Sequence, residues 1–189
     1  MLLVKLLIDT HNSKMFGVGI LYDNTQYNYI NGNDACAQLL PAFDKLCKTN
    51  HFNLDQIIII KGPGSLTGLR IGASTALGIA LGIEMKHKKK VEILALSVWD
   101  ILLNEYPNSD IVFYTGTKKW IHKTHESETI IEDTNITLTH SWISNNAQKL
   151  TLDAEKNIQY PNMIELMPKY VAHASKDIQL LYPVTMFNT

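Results

Sequence analysis

The chain has 189 residues, a formal net charge of −1, and a composition in which 46% of the residues are hydrophobic and 19% are charged. This length is enough to bury a core, and the composition is typical of a soluble globular protein. Because the charges nearly cancel, no global basic field points to nucleic acid as a direct partner. Cys36 and Cys47 suit a reduced compartment, and the N-terminus lacks signal-peptide features, so we expect a cytoplasmic protein.

Hydrophobic patterning predicts the order β-β-β-α-β-α for the first part of the chain. Strands are expected at residues 2–8, 15–22 and 26–30, with a hairpin turn at residues 23–25. An amphipathic helix is predicted over residues 34–48, and Pro41 is expected to kink it. The β-branched run Gln56–Ile60 predicts a buried strand, which leads into a helix from Ser65 to about Lys86.

A glycine-rich turn joins that strand to that helix. Ser65 is expected to cap the helix, and free backbone N–H groups at a helix N-terminus favour an anion such as phosphate. The turn matches neither familiar nucleotide loop, because it has no Walker lysine and Thr67 stands where the dinucleotide fingerprint needs glycine. We therefore take Gly62, Gly64, Ser65 and Thr67 as a candidate phosphate site, with a purely structural tight turn as the alternative.

The helix after this turn carries no charge between Arg70 and Glu84. A helix that is apolar all round must be covered on both sides, either within one domain or by a second helix or subunit. We favour a partner surface, because small residues let a second backbone approach closely. The run is shorter than a membrane span and holds polar residues. A narrow stripe of mostly small residues is expected to face the partner: Gly68, Gly72, Thr75, Ile79 and Gly82.

Ile71 and Leu77 lie off this stripe and are expected to face the chain's own sheet. Tryptophan at Gly72 or Thr75 should then block association and leave the fold intact. Tryptophan at Ile71 or Leu77 should instead lower the melting temperature.

A boundary is expected near residues 106–109, which divides the chain into residues 1–106 and 107–189. Before it, a strand at 91–95 and a short helix at 97–103 are predicted. After it, strands are predicted at 111–115, 118–124, 129–131 and 136–139, a helix at 142–150, and an irregular tail beyond residue 152.

The sequence predicts neither a metal site nor a catalytic residue. His122 and His125 are three apart on a predicted strand and so face opposite sides, and no zinc-type spacing occurs. Asp9 follows the first strand, and we expect it to hydrogen-bond the turn there. No Gly-x-Ser-x-Gly elbow is present.

Residues 61–72 closely resemble the Gly-Pro-Gly-Ser-Phe-Thr-Gly-Leu-Arg-Ile-Gly signature of the bacterial TsaB (YeaZ) family, with Leu66 in place of the usual Phe. The resemblance continues into Leu7–Thr10 and Leu39–Pro41, and becomes weak beyond about Leu103. It implies an α/β fold of the actin, sugar-kinase and Hsp70-ATPase type (ASKHA, RNase H-like), with an abbreviated second half.

The resemblance implies a non-catalytic partner subunit of the complex that forms N6-threonylcarbamoyladenosine beside the anticodon of tRNAs reading A-starting codons. Expected partners are a TsaD-like subunit, a TsaE-like ATPase, a second copy when the chain is alone, and tRNA through the complex, with no membrane. The complex would use ATP, and no bound cofactor is assigned to this chain itself. A sugar-kinase-type enzyme and a peptidase using Ser65 remain alternatives. The implied interface lies on both N-terminal helices: Leu39, Leu40, Phe43, Gly68, Gly72, Thr75, Ile79 and Gly82.

Overall fold

The computed structural model describes residues 3–12, 15–49, 53–114, 119–132, 138, 141–145 and 157–179. These residues form two compact units. The first contains the described residues of Met1–Val98 and Asn162–Tyr182, and the second those of Trp99–Pro161. The division differs from a single boundary near residue 106, because a C-terminal segment returns to the first unit.

The first unit is built on a five-stranded sheet in the order β3-β2-β1-β4-β5. β1 pairs antiparallel with β2 and parallel with β4, and β4 pairs parallel with β5. Together with the two intervening helices, these strands confirm the predicted β-β-β-α-β-α order. The elements are β1 (Val4–Asp9), β2 (Phe16–Tyr22), β3 (Gln26–Gly32), α1 (Ala35–Thr49), β4 (Gln56–Gly62), α2 (Leu66–His87) and β5 (Glu92–Ser97).

Both faces of the central strands are buried, which explains their nearly continuous apolar runs. On one face, Leu6 and Ile8 join a core that includes Leu39 of α1 and Ala76 of α2. The other face is covered by α4 (Met163–Tyr170), whose Ile164 lies where a side chain at position 17 of β2 would project. Glycine at that position therefore lets the helix approach the sheet closely.

Polar contacts fix the returning C-terminal segment to the edges of this sheet. The Tyr27 hydroxyl of β3 donates a hydrogen bond to the Ile164 carbonyl at 2.7 Å. At the opposite edge, Ser175 and Ala95 of β5 exchange two backbone hydrogen bonds of 2.8 and 3.0 Å. Lys61 and Asp177 form an ion pair at 3.1 Å. The prediction of an irregular tail is therefore wrong for residues 163–170, which form α4, and for the bridge at residue 175.

The second unit contains a five-stranded sheet in the order β10-β9-β6-β7-β8. Trp142–Ser144 is a strand and not the predicted helix start, because it pairs in parallel with β6 and buries its side chains. The predicted strand at 136–139 falls, apart from residue 138, outside the described residues. The elements are α3 (Val98–Glu105), β6 (Asp110–Tyr114), β7 (Lys119–Lys123), β8 (Glu128–Glu132), β9 (Trp142–Ser144) and β10 (Asn157–Ile158).

Candidate partner-binding face

The glycine-rich turn begins α2 as the sequence predicts, with Ser65 as its cap. The Ser65 hydroxyl oxygen accepts a hydrogen bond from the Gly68 N–H at 3.2 Å. The Ser65 N–H donates to the His11 carbonyl at 2.7 Å. Gly62 adopts a φ of 107°, a left-handed backbone conformation that favours glycine.

The loop after β1 lies directly against this turn. The Asp9 carboxylate accepts a hydrogen bond from the His11 N–H at 3.1 Å and contacts the His11 ring nitrogen Nδ1 at 2.6 Å, and both side chains are buried. Asp9 therefore has the turn-bonding role expected from the sequence.

Of the candidate phosphate residues, Gly62 and Gly64 are buried, Ser65 is half-buried and Thr67 is exposed. The Ser65 and Gly68 N–H groups already have acceptors within the chain. The anion site therefore remains a prediction, with fewer free donors than the sequence suggested.

The faces of α2 are assigned incorrectly by the sequence. A Cβ added at Gly68 would collide with the Thr10 carbonyl, and one added at Gly72 would collide with the Thr10 hydroxyl. These two glycines therefore pack against Thr10, which follows β1, and do not face a partner. Leu77, which was expected to face the sheet, has 53% of its surface exposed. Ile71 packs partly against the core, as expected.

The exposed side of α2 carries large apolar side chains interspersed with small residues. A side chain added at Gly78 or Gly82 would meet no atom within 4 Å. Leu77, Leu81 and Met85 are 53%, 50% and 76% exposed. Leu40 of α1 is 56% exposed and lines a groove beside Ser74 of α2. We call the following residues the outer face: Leu40, Ser74, Leu77, Gly78, Leu81, Gly82 and Met85.

The predicted interface residues are only partly brought together on this surface. Leu40 and Gly82 belong to the outer face, whereas Leu39 is buried in the core with Gly68 and Gly72. The remaining three, Phe43, Thr75 and Ile79, are half-buried and line depressions between α1 and α2. The sequence missed Leu77, Leu81 and Met85, although a leucine or methionine every four residues on an uncharged helix was a signal for them.

Two depressions between α1 and α2 border the outer face. The N-terminal groove has a volume of about 380 Å³ and is lined by residues that include Leu40, Arg70 and Thr75. The C-terminal pocket has a volume of about 730 Å³, and its lining includes Phe43 and Ile83. The surface can therefore accept apolar side chains from a partner helix.

The two histidines weighed as metal ligands have separate partners. The His122 ring nitrogen Nε2 contacts the Asp110 carboxylate at 2.8 Å, whereas His125 Nε2 contacts the Leu103 carbonyl at 3.0 Å. Among the described residues, no three His, Cys, Asp or Glu side chains are grouped as metal ligands.

By length and composition alone, α2 could cross a membrane. The core helix of a soluble protein passes the same test, and Gly68, Leu69, Gly72, Ala76 and Ala80 of α2 are buried within the first unit. We therefore interpret α2 as a helix packed on the sheet.

Comparison with solved structures identifies the fold class. YeaZ from Pseudomonas aeruginosa superimposes with a TM-score of 0.63 at 14% sequence identity, covering 96% of this chain and 100% of that chain. A Pseudomonas aeruginosa structure described as an uncharacterized protein with similarity to peptidase YEAZ gives a TM-score of 0.64 at 14% identity, with coverage of 96% and 98%. The chain has the actin-like α/β fold that the sequence predicted.

Sequence comparison then identifies the relatives. The tRNA threonylcarbamoyladenosine biosynthesis protein TsaB of Buchnera aphidicola subsp. Baizongia pistaciae is 36% identical over 108 residues, which are 53% of this chain and 48% of that protein. The protein of the same name from Haemophilus influenzae is 31% identical over 88 residues, 44% of this chain and 37% of that protein. The chain thus matches about half or less of the length of these curated relatives.

A family model described as TsaD: tRNA N6-adenosine threonylcarbamoyltransferase matches residues 34–93, which run from the start of α1 into β5. Together with the two TsaB matches, it confirms the resemblance to the TsaB family that the glycine-rich signature predicted.

Proposed function

We propose that this chain is a non-catalytic subunit of the complex that forms N6-threonylcarbamoyladenosine in tRNA, and that its outer face binds a TsaD-like subunit. The observation that carries this proposal is the outer face itself. Three large apolar side chains on α2, Leu77, Leu81 and Met85, are at least half exposed, and Leu40 of α1 lines a groove with Ser74 at the N-terminal part of the same face. Contiguous exposed apolar surface of this kind marks interaction sites in soluble proteins.

The family comparison supports the choice of partner. The segment that matches the TsaD family model contains both helices of the outer face. If the partner carries two helices of the same kind, the two surfaces can form a four-helix contact around small residues. Ser74, Gly78 and Gly82 are spaced four apart, which lets a partner backbone approach α2 closely.

The remaining roles in the proposal are those that the family resemblance and the sequence lead us to expect. A TsaE-like ATPase would bind and hydrolyse ATP for the complex, and tRNA would be recruited through the other subunits. This chain would bind no cofactor, would act in the cytoplasm, and would self-associate through the outer face when its partner is absent. A two-fold dimer is the commonest way to cover such a face.

The two alternatives are not favoured by the geometry. For a sugar-kinase-type enzyme, the acidic residue after the first strand would have to face phosphate or metal, but Asp9 is buried and bonded to His11. For a peptidase, Ser65 would have to act as a nucleophile, but its hydroxyl oxygen caps α2.

Titration calorimetry with the TsaD-like subunit from the same organism tests the proposal. We expect a one-to-one complex with wild-type chain, and we expect Leu77→Glu combined with Leu81→Glu to weaken it by about a hundredfold or more. Each buried leucine contributes roughly 1.5–3 kcal/mol, and a tenfold change in affinity corresponds to about 1.4 kcal/mol.

Ile130→Glu is the matched control, because Ile130 is 51% exposed but lies on β8 in the second unit. It should leave binding unchanged. Equal affinities for the wild-type chain and the double variant, with both folded by circular dichroism, would reject the outer face as the binding site.

A further inference from the structure

The edge strands of the two sheets differ in how their open sides are protected. An edge strand presents a row of unpaired backbone N–H and C=O groups, which proteins usually guard with charged residues, a short strand or a covering segment. At the edge of the first sheet, β5 is bridged to Ser175. In the second unit, β10 has only two residues, and β8 has a glutamate at each end, Glu128 and Glu132.

The other edge of the first sheet, formed by β3, lacks these protections in the described part of the chain. β3 pairs with β2 over its full length of seven residues, and no described strand lies on its other side. The strand contains no charged residue and no proline. Asn28 is exposed, and Tyr29 has 40% of its surface exposed. A long uncharged edge of this kind is open to pairing with another strand.

Contacts on both faces of the sheet hold β3 in its extended form. On one face, Ile30 packs against the core. On the other face, the rings of Tyr27 and Tyr29 stack with centroids 5.4 Å apart, and the Tyr29 hydroxyl donates a hydrogen bond to the Glu165 carboxylate at 2.8 Å. Because the strand is already ordered, little conformational entropy is lost when a second strand pairs with it.

A second copy of β3 is well matched to this edge. Two copies can pair antiparallel about a two-fold axis, which makes the contact self-complementary. Since β3 is uncharged, no like charges come to lie opposite each other within the paired strands. Pairing centred on Tyr29 also brings two tyrosine side chains together, and aromatic cross-strand pairs are favourable. The same arrangement of two β8 strands would instead place Glu128 of one copy opposite Glu132 of the other.

We infer that the outer edge of β3 pairs with β3 of a second copy of this chain, so that two five-stranded sheets join into one continuous sheet. The nearest carboxylate to Tyr29 does not oppose this contact, because Glu165 already accepts hydrogen bonds from Tyr29 and Asn162. The contact uses none of the outer-face residues. It is therefore distinct from self-association through the outer face and leaves that face free.

Sedimentation velocity of the Leu77→Glu, Leu81→Glu double variant tests the inference, because these substitutions oppose self-association through the outer face. We expect this variant still to dimerise as its concentration is raised. Adding Asn28→Lys should weaken that dimer by roughly tenfold or more, because lysine on an edge strand opposes pairing. Asn108→Lys is the matched control, because Asn108 is exposed but lies in the turn before β6. A double variant that stays monomeric, or equal effects of the two lysines, would overturn the inference.

Hydrogen exchange of the double variant locates the contact without a further substitution. Backbone amides of β3 should exchange severalfold more slowly at high than at low protein concentration, whereas those of β8 should not change. Exchange in β3 that is independent of concentration would overturn the inference. Neither measurement involves the TsaD-like subunit. Failure of the β3 contact therefore leaves the proposed function intact, and failure of binding to that subunit leaves the β3 contact intact.

Discussion

At the scale of single residues, two glycines of α2 have opposite environments. We therefore predict that replacing them by alanine has opposite effects on stability. A Cβ at Gly68 would collide with the Thr10 backbone carbonyl, whereas a Cβ at Gly78 would meet no atom within 4 Å. We expect Gly68→Ala to lower the free energy of unfolding by about 1–3 kcal/mol through overpacking. Gly78→Ala should raise it by about 0.5–1 kcal/mol, because glycine in a helix interior is less favourable than alanine.

Urea unfolding of the isolated chain measures both variants, and Gly78→Ala serves as the control for the general effect of alanine in this helix. If Gly68→Ala were stabilising as well, α2 could not be packed as closely against the Thr10 carbonyl as it is in the structure.

The environment of Asp55 leads to a prediction of how the stability of the fold depends on pH. Burial alone would raise its pKa, but hydrogen bonds from Lys89 and the Val4 N–H, with the charge of Lys89, lower the pKa below the ordinary value of 3.8. A carboxyl whose pKa is lowered by folding stabilises the fold above the unfolded value, and this contribution is lost as the pH falls through the folded value. Asp55→Asn should therefore cost about 1 kcal/mol near pH 7.

The cost of Asp55→Asn should shrink as the pH falls below 3.8. Asp44→Asn is the control, because the Asp44–Lys48 pair is highly exposed and should contribute little to stability at any pH. The test is the free energy of unfolding of both variants, measured across pH 3–7. A loss of stability in Asp55→Asn that is the same at all these pH values would contradict the assigned role of Asp55.

At the scale of elements, the sequence predicted the helices and strands whose polar and apolar sides differ. The sequence predicted α1 as an amphipathic helix over residues 34–48, and the structure has it at Ala35–Thr49, but Leu39, which the sequence assigned to the partner interface, is buried in the core. α2 has no charge between Arg70 and Glu84, so its charge pattern does not distinguish its sheet side from its exposed side. Gly68 and Gly72 were recognised as a site of close approach, but the neighbour that these two glycines admit is the Thr10 loop of the same chain.

The elements that the sequence missed are short and lack local signals. α4 has eight residues and contains Pro168, and its N-cap residue Asn162 makes no side-chain capping hydrogen bond. β9 and β10 have three and two residues, too few to show an alternating pattern. Their structure depends on pairing with β6 and packing on the first sheet, which are contacts between residues far apart in sequence.

At the scale of the whole molecule, the first unit depends on residues from both ends of the chain. Leu7 and Ile58 are fully buried and pair across β1 and β4 on the face that α4 covers. A chain ending at residue 161 would expose this face. We expect it to lose the cooperative thermal transition of the first unit, because several fully buried apolar side chains would meet water.

Addition of a synthetic peptide of residues 162–179 should restore that transition, and a peptide with Ile164→Asp should not. Differential scanning calorimetry measures all three samples. A truncated chain that melts at the temperature of the full-length chain would show that α4 is dispensable.

The return of the C-terminal segment also constrains how the protein is made. During translation, domains generally fold as units, with the N-terminal one first. Here β5 lacks its pairing with Ser175, and the sheet lacks its cover by α4, until residues 163–175 have been synthesised. The described strands of the second unit, by contrast, all lie between residues 110 and 158 and emerge earlier. The second unit can therefore reach its native state on the ribosome first, while the nascent first unit keeps an uncovered apolar sheet that chaperones would recognise.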